Sequence, residues 1–414
     1  MRKIRQALIL AGGDSTRFWP FSGKSLFPFL GKPLILHLIE SIKAFVSHVE
    51  VVTSESNADI LSKHFSSNVG LTIQRKDLPG MGGAILSSKD KITGETLVMN
   101  AEDVLDLGIL HQLVDELNRS KADLIFLAKK VKEYFPGGYV KFDHDKVVEI
   151  VEKPRPEDIP SSMVKLVMDY HSDIQTFIKI LEMTGIEKDN QYETAINSCI
   201  ASQKTAAAIP YDGYWQPLKF AWHILPMMKH FLSTIHAQTI AKNVIISKHT
   251  LLEGPIRIEE GVRIGEFVKI TGPCFIDKGA VIGDYAMVRE SHIGKKTVVG
   301  GYSEVTRSYL HDGATLHRNY VGDSVLGKGV TMGGEATTAN FRFDSKTIRD
   351  TNLTKLGVLA GDFSKIGVNA TTLPGVKIGI HTFIGPAEVI TEDIEDNMFV
   401  FGGKKTQNKL KESF

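Results

Sequence analysis

Residues 8–34 read LILAGGDSTRFWPFSGKSLFPFLGKPL. An apolar run leads into Gly12 and Gly13, then Ser15, Thr16, Arg17 and Lys24, and a second glycine–lysine pair follows at Gly31 and Lys32. Glycines after a strand let the backbone come close to a phosphate. Successive N–H groups at such a turn form an anion nest, and an arginine and a lysine supply charge. This order of strand, glycine turn, arginine and lysine is what binding a triphosphate demands. On spacing alone the same residues also suit a tight strand-to-helix connection.

A nest of this kind must sit at the end of a strand, and the surrounding pattern supplies one. From residue 1 to about 232, short β-rich runs (QALIL, EVVTS, ETLVMN, DLIFLA) alternate with helical periodicity (PLILHLIESIKAFV, NADILSKHF, LGILHQLVDELNRS). Strand and helix taking turns predicts crossover units on a mostly parallel sheet, with a ligand at the carboxyl ends of the strands. After about Asn243 a period of six replaces the helical spacing. Ile246, Leu252, Ile258, Ile264, Ile270, Ile276, Ile282 and Val288 fall six apart, with turn glycines at Gly261, Gly265, Gly279 and Gly283. One aliphatic per six residues predicts a parallel β-helix, whose coils bury their anchors only by stacking. The period resumes at Ile366, Ile378, Ile384 and Ile390, with Thr372 its one polar occupant. Between Gly300 and Lys365 it is interrupted, which is where a solenoid places loops and sites. On period alone the solenoid reads as a scaffold or an oligomerisation stem.

The 414 residues favour two or three domains, here 1–235, 243–400 and a polar tail at 401–414. Forty-nine basic against forty-eight acidic side chains give a net charge of +1, which argues against nucleic acid as a partner. Cys199 and Cys274 lie outside any CxxC pattern, which fits a reduced compartment without disulfide or zinc framework. No apolar run reaches the roughly 18 residues that crossing a bilayer takes, so a cytoplasmic protein with no membrane partner is expected.

The opening stretch resembles the sugar-1-phosphate nucleotidylyltransferases, whose signature reads approximately AGGxGTRLxPLTxxxPKxLxPVxGKPL. LPGMGGAIL (78–86) is similar to that family's nucleotide-base loop, NAEDVLD (100–106) to its metal-binding NGDVL, and IVEKP (150–154) to its sugar-phosphate motif. The resemblance implies a Rossmann-like α/β domain over residues 1–235. It places nucleotide binding on Ala11, Gly12, Gly13, Ser15, Thr16, Gln74, Gly80 and Gly82. Arg17 and Lys24 would hold the triphosphate and neutralise charge at the α-phosphorus. Asp103 would hold Mg²⁺, Glu152 would accept from sugar hydroxyls, and Lys153 would meet the sugar phosphate. The reaction is in-line displacement, with a sugar-1-phosphate oxygen attacking the α-phosphorus of UTP or dTTP and pyrophosphate leaving.

The second half resembles the left-handed β-helix of hexapeptide acyltransferases, which commonly trimerise side by side. HRNYVGDSVLGKGVTMGGEATTANFRFDSK (317–346) is similar to the acetyltransferase site of archaeal-type bifunctional sugar-1-phosphate nucleotidylyltransferase/amino-sugar-1-phosphate acetyltransferases. The likeness implies His317 as the base, Tyr320 and Asn340 as positioning or oxyanion donors, and Lys346 with Arg342 or Arg349 as phosphate ligands. Acetyl-CoA would be the donor, its pantetheine lying along residues 361–379. His249, His292, His311 and His381 are read as inert surface groups, and Trp19, Trp215 and Trp222 as packing groups.

Several positions depart from these patterns. Ser15 stands for a glycine, Gly23 for the proline before the lysine, and Glu335 falls within GEATT where relatives show GAGT. Pro217 occupies the place of the family's second metal carboxylate, and MVKLVMDYHSD (163–173) lacks its asparagine and glycine. Three readings therefore compete: a bifunctional enzyme, a transferase with one live site, and a non-catalytic subunit that binds sugar nucleotides.

Overall fold

The structure, a computed structural model, describes residues 2–13, 15–144, 146–185 and 190–408. They form two compact units. The first holds the chain up to Asp14 together with Pro33–Pro217, and the second holds Ser15–Lys32 together with the chain from Leu218. The division does not follow the sequence expectation of a break after residue 235. Helix Ile224–Ser233 belongs to the second unit, where Phe231 stacks on Phe29 with ring centroids 4.9 Å apart.

In the first unit the apolar run Ile4–Ala11 becomes a central strand, buried on both faces at all but one residue, as a parallel strand covered by helices must be. It pairs in parallel with Val46–Thr53 on one side and Thr96–Asn100 on the other, and Val69–Ile73 extends the sheet beyond Val46–Thr53. The far half is mostly antiparallel, through Met163–His171, Leu124–Lys130 and the hairpin Gly138–Asp143/Lys146–Glu152, while Ala206–Tyr211 pairs in parallel with Leu124–Lys130. A bulge between Leu166 and Asp169 interrupts the ladder of Met163–His171. Helices Gly80–Ser87, Ile174–Met183 and Gln191–Ala201 contribute Ile85, Phe177 and Tyr192 to a core that also holds Leu8, Val98 and Phe126. The alternation of strand and helix is thus a Rossmann-like α/β unit.

The second unit is a coil of three sheets with eight, ten and eight strands, parallel except for the last strand of the ten-stranded sheet, the fold of a left-handed β-helix. The expected anchors Ile258, Ile264, Ile270, Ile276, Ile282 and Val288 all point into its core. The count of six first slips before Gly300, and the interruption expected between Gly300 and Lys365 consists of shortened coils and one excursion. Coils first repeat every eighteen residues (Ile264↔Ile282), then every seventeen (Val299↔Leu316) and sixteen (Leu316↔Met332). Dropping a corner residue shifts the count of six while the anchors stay stacked. The real excursion is 339–358, across which Met332 pairs with Ile366. A buried column of Ser291, Ser308 and Ser324 staples successive coils, each hydroxyl accepting a backbone N–H from the next at 3.1 Å. Of the expected polar tail, Lys404–Gln407 forms a strand antiparallel to Met398–Phe401, and residues 409–414 lie outside the described residues.

Candidate active sites

Four adjacent parallel strands of the first unit end in register, with Leu10 beside Asn100, Ala11 beside Thr53 and Thr53 beside Ile73. Immediately past those ends, Gly12, Gly13, Ser54, Gln74, Asn100 and Glu102 line a cavity of about 920 Å³, which Arg75, Lys76 and Gly80 border as well. This is where an open α/β sheet binds its ligand. The Gln74 side chain lies over Gly12, so close that a Cβ at residue 12 would stand 1.8 Å from its Oε1. Its Nε2 donates to Leu78 O (2.8 Å) and Gly80 O (3.0 Å), which leaves Oε1 as the amide's acceptor. Gly80 carries φ +73° as it opens its helix, a conformation L side chains resist. Ala11 is buried at the strand end. Gly82 also faces inward, where a Cβ would come within 2.5 Å of Gln191 Oε1. Of the expected nucleotide-binding residues, Gly12, Gly13, Gln74 and Gly80 line the cavity, whereas Ala11 and Gly82 are packing positions.

The acidic wall differs in detail from the sequence reading. Asn100 Oδ1 accepts the Glu102 N–H at 3.2 Å, and its Nδ2 donates to Asp103 Oδ1 at 3.4 Å, closing a tight turn. Glu102 lines the cavity, whereas Asp103 opens the short strand Asp103–Leu105, antiparallel to Trp215–Pro217. Pro217 is the Cα partner of Asp103. Among the described residues no three His, Cys, Asp or Glu side chains converge on a metal-sized gap. Glu102 escaped the sequence reading because either acid of NAED can stand for the aspartate of NGD; counting from Asn100 would have favoured Glu102.

Glu152 ends strand Lys146–Glu152, and Lys153 follows at φ +44° with its N–H on Gly137 O (3.0 Å). Their side chains pair at 3.4 Å. Glu193 approaches the same point from helix Gln191–Ala201: a Cβ on Gly138 would stand 3.1 Å from Glu152 Oε2 and 4.0 Å from Glu193 Cγ. Burial pushes the Glu193 carboxyl up, Lys165 opposes that rise, and the Glu152 carboxylate adds to it. Behind them lies the segment that departs from the family pattern. There Lys165 and Asp169 are both buried, with Nζ 2.6 Å from Oδ2, and the Tyr192 hydroxyl donates to the same oxygen at 2.5 Å. Burial raises the Asp169 carboxyl above the usual carboxylate range even so, and no described residue bonds its Oδ1.

Ser15, Thr16, Arg17 and Lys24 belong to the second unit. Arg17 sits in the short turn Thr16–Phe18 and is exposed, while Lys24, 7% exposed, begins the turn Lys24–Leu26. Ser15 (φ 55°) and Gly23 (φ 60°) both adopt the left-handed conformation, so Ser15 carries the strain that the family's glycine avoids. Four aromatics tie this segment to the coil. Trp19 Nε1 donates to Asp396 at 2.8 Å, the Tyr309 hydroxyl donates to Pro28 O at 2.6 Å, and Phe27 and Phe29 pack on Tyr309.

On the coil, Tyr320 and Asn340 come together, Asn340 Nδ2 lying 3.3 Å from the Tyr320 hydroxyl and 2.5 Å from Asp323 Oδ2. Arg307 forks onto both Asp323 oxygens at 2.7 Å each, and these bonds raise its guanidinium pKa above the ordinary value. Neither Arg307 nor Asp323 was evident from sequence, because only coil stacking puts them beside Asn340. His317 is exposed on a corner, its N–H held by Asn319 Oδ1 at 2.8 Å. Asn319 also donates to Gly333 O and Ala336 O, so one buried amide fixes the corner of His317 and the turn of the next coil. Of the expected phosphate ligands, Arg342 is forked onto Asp344, Arg349 pairs with Asp393, and Lys346 is exposed. Glu335 pairs with Arg318 at 3.2 Å. His292 is the exception among the histidines read as surface groups: it is buried, stacked on Tyr309 at 4.3 Å.

The sequence pattern of the nucleotidyl transferases matches residues 6–218. A protein of Methanocaldococcus jannaschii described as bifunctional protein GlmU is 31% identical, over 95% of this chain and 97% of its own. A bifunctional sugar-1-phosphate nucleotidylyltransferase/acetyltransferase of Sulfurisphaera tokodaii is also 31% identical, over 94% and 98%. Among solved structures, UDP-glucose pyrophosphorylase complexed with UDP-glucose superposes with a TM-score of 0.50 at 19% identity, covering 56% of this chain and 99% of that one, a likeness of fold. No helix among the described residues is long and apolar enough to cross a membrane.

Proposed function

The chain belongs to the nucleotidyl transferase family, and on that premise we propose that it makes a nucleoside-diphosphate sugar from a nucleoside triphosphate and a sugar-1-phosphate, releasing pyrophosphate, and acetylates an amino-sugar-1-phosphate from acetyl-CoA on its coil. The observation that carries the first activity is the cavity past four aligned strand ends, with Gly12 and Gly13 on its floor and Gln74 fixed above them. With Nε2 engaged, Gln74 offers an acceptor, which suits the N3–H of uracil or thymine and so UTP or dTTP. The Gly12–Gly13 turn receives phosphate oxygens on backbone N–H groups, and Arg17 and Lys24, a few residues further along the chain, add charge. Glu152 and Lys153 hold the sugar hydroxyls and the sugar phosphate. A Mg²⁺ ion fits the oxygen donors of the Glu102–Asp103 turn, since it takes one or two carboxylates and completes its shell with phosphates and water. Bound there it would screen the three anionic groups.

For acetyl transfer, His317 takes the proton of the attacking amine, Tyr320 and Asn340 orient the substrate or receive the oxyanion, and Lys346 with Arg342 or Arg349 meets the phosphate. Because Arg342 and Arg349 are tied down within the chain and His317 is exposed, assembly of a homotrimer is the expected way to complete this site. A second reading, in which only the acetyl site is live or the first unit merely binds sugar nucleotides, is favoured by Pro217 opposite Asp103.

Two assays on the purified protein decide: pyrophosphate release from UTP or dTTP with several sugar-1-phosphates, and thiol release from acetyl-CoA with glucosamine-1-phosphate or galactosamine-1-phosphate. Lys24→Ala is expected to lower the first about 100-fold and leave the second. His317→Ala is expected to lower the second by about 100-fold or more and leave the first. No turnover in either wild-type assay, with a sugar nucleotide still bound, would establish the non-catalytic reading.

A further inference from the structure

We propose that Glu102 is the carboxylate this chain directs at the metal–triphosphate complex, with Asp103 beside it, so that one turn supplies both acids and replaces the one lost at Pro217. The inference rests on reading the first unit as a nucleotidyl site. Asp103 was the sequence expectation, but Glu102 is the acid that lines the cavity. Its Oε1 lies 3.9 Å from where a side chain on Gly13 would begin, so this carboxylate stands beside the turn that receives the phosphates.

Asp103 is placed differently. It opens a strand, its Cα faces Pro217 across an antiparallel pair, and its Oδ1 accepts from Asn100. The side-chain amide of Asn100 bonds the Glu102 N–H with one end and the Asp103 carboxylate with the other. That bridge ties both acids to the end of the strand. Proline at 217 carries no oxygen donor in its side chain, so the strand opposite Asp103 cannot supply a second carboxylate from that position. A hard divalent ion needs one or two carboxylates beside substrate phosphates, and Glu102 brings a second one into the same turn.

The test uses the full-length protein with Mn²⁺ as the probe and non-hydrolysable α,β-methylene-UTP as the nucleotide. Free Mn²⁺ is read by electron paramagnetic resonance, and metal-free nucleotide binding by calorimetry. Glu102→Gln is expected to weaken Mn²⁺ binding at least tenfold while metal-free nucleotide affinity changes less than threefold. Glu102→Asp, which keeps the charge on a shorter arm, should fall between. Pro217→Asp in the Glu102→Gln background should recover most of the lost Mn²⁺ affinity, because it restores a carboxylate across from Asp103. Thermal melts of each variant establish that it is folded. Wild-type Mn²⁺ affinity in folded Glu102→Gln overturns the inference and leaves the nucleotidyl reading standing. Failure of the wild type to bind the nucleotide with or without Mn²⁺ overturns both.

Discussion

His171 and His292 are 4% and 2% exposed, and burial pulls both imidazoles down to about 3. In the unfolded chain each titrates near 6.5, so at lower pH the unfolded state takes up protons that the folded state refuses. Their contribution to stability is whole above about pH 6.5 and is lost as pH falls from there toward 3, about 2 kcal/mol for each histidine by pH 5. His292 stacks on Tyr309 and packs against Phe275, with no described partner for either ring nitrogen. His292→Phe should therefore keep the packing and reduce the loss of unfolding free energy between pH 7 and pH 5, read by urea titration at both. The Lys165–Asp169 pair offers a second residue-scale test. Asp169→Leu alone strands a buried ammonium and should cost about 3–5 kcal/mol, whereas Asp169→Leu with Lys165→Met should return to within roughly 1 kcal/mol of the wild type. If the double variant is as unstable as the single, the charge pair is not the source of the cost. Neither pair of residues announced itself in the sequence, because only the packing of Met163–His171 against Tyr192 shows that Lys165 and Asp169 face the interior rather than solvent.

At the scale of elements, the coil shows what a repeat can and cannot disclose. The aliphatic anchors and their order were readable because each coil must bury one residue per face. The shortened coils were not, because deleting a corner residue erases the count of six without disturbing the stack. Asn319 lies on the corner of His317, and the sequence motif did not single it out between His317 and Tyr320. Its side chain makes three hydrogen bonds while only 4% exposed. Asn319→Ala should lower stability by about 2–3 kcal/mol and, if the His317 corner serves acetyl transfer, lower kcat more than it raises KM for acetyl-CoA. A loss of stability with unchanged kinetics would limit Asn319 to folding. In the sheet unit, by contrast, the strand ends and their loops were legible almost to the residue, since Gly12, Gly13, Gln74 and Gly80 all reach the cavity. Which of two adjacent acids does so depends on where one strand stops, and composition does not encode that.

At the scale of the molecule, alternation followed by a six-residue period separated an α/β unit from a solenoid, but it could not show which unit owns residues 15–32. That segment reads as a loop of the sheet because it follows the first strand. Its aromatic side chains nevertheless make their contacts with Tyr309, His311 and Phe231 of the coil unit. Tyr309→Phe removes the bond to Pro28 O while keeping the rings, and should cost about 1–2 kcal/mol, measured on the transition of the second unit. An unchanged transition would mean that ring packing alone retains the segment. The chain thus enters the coil unit at residue 15, returns at 33 and leaves again at 217. Genetic exchange of halves between homologues would accordingly need three junctions to keep each half's contacts intact. A single crossover near residue 235 would join Trp19 and Pro28 of one ancestor to Asp396 and Tyr309 of another, and the two lineages would inherit those contacts only if both sides had changed together.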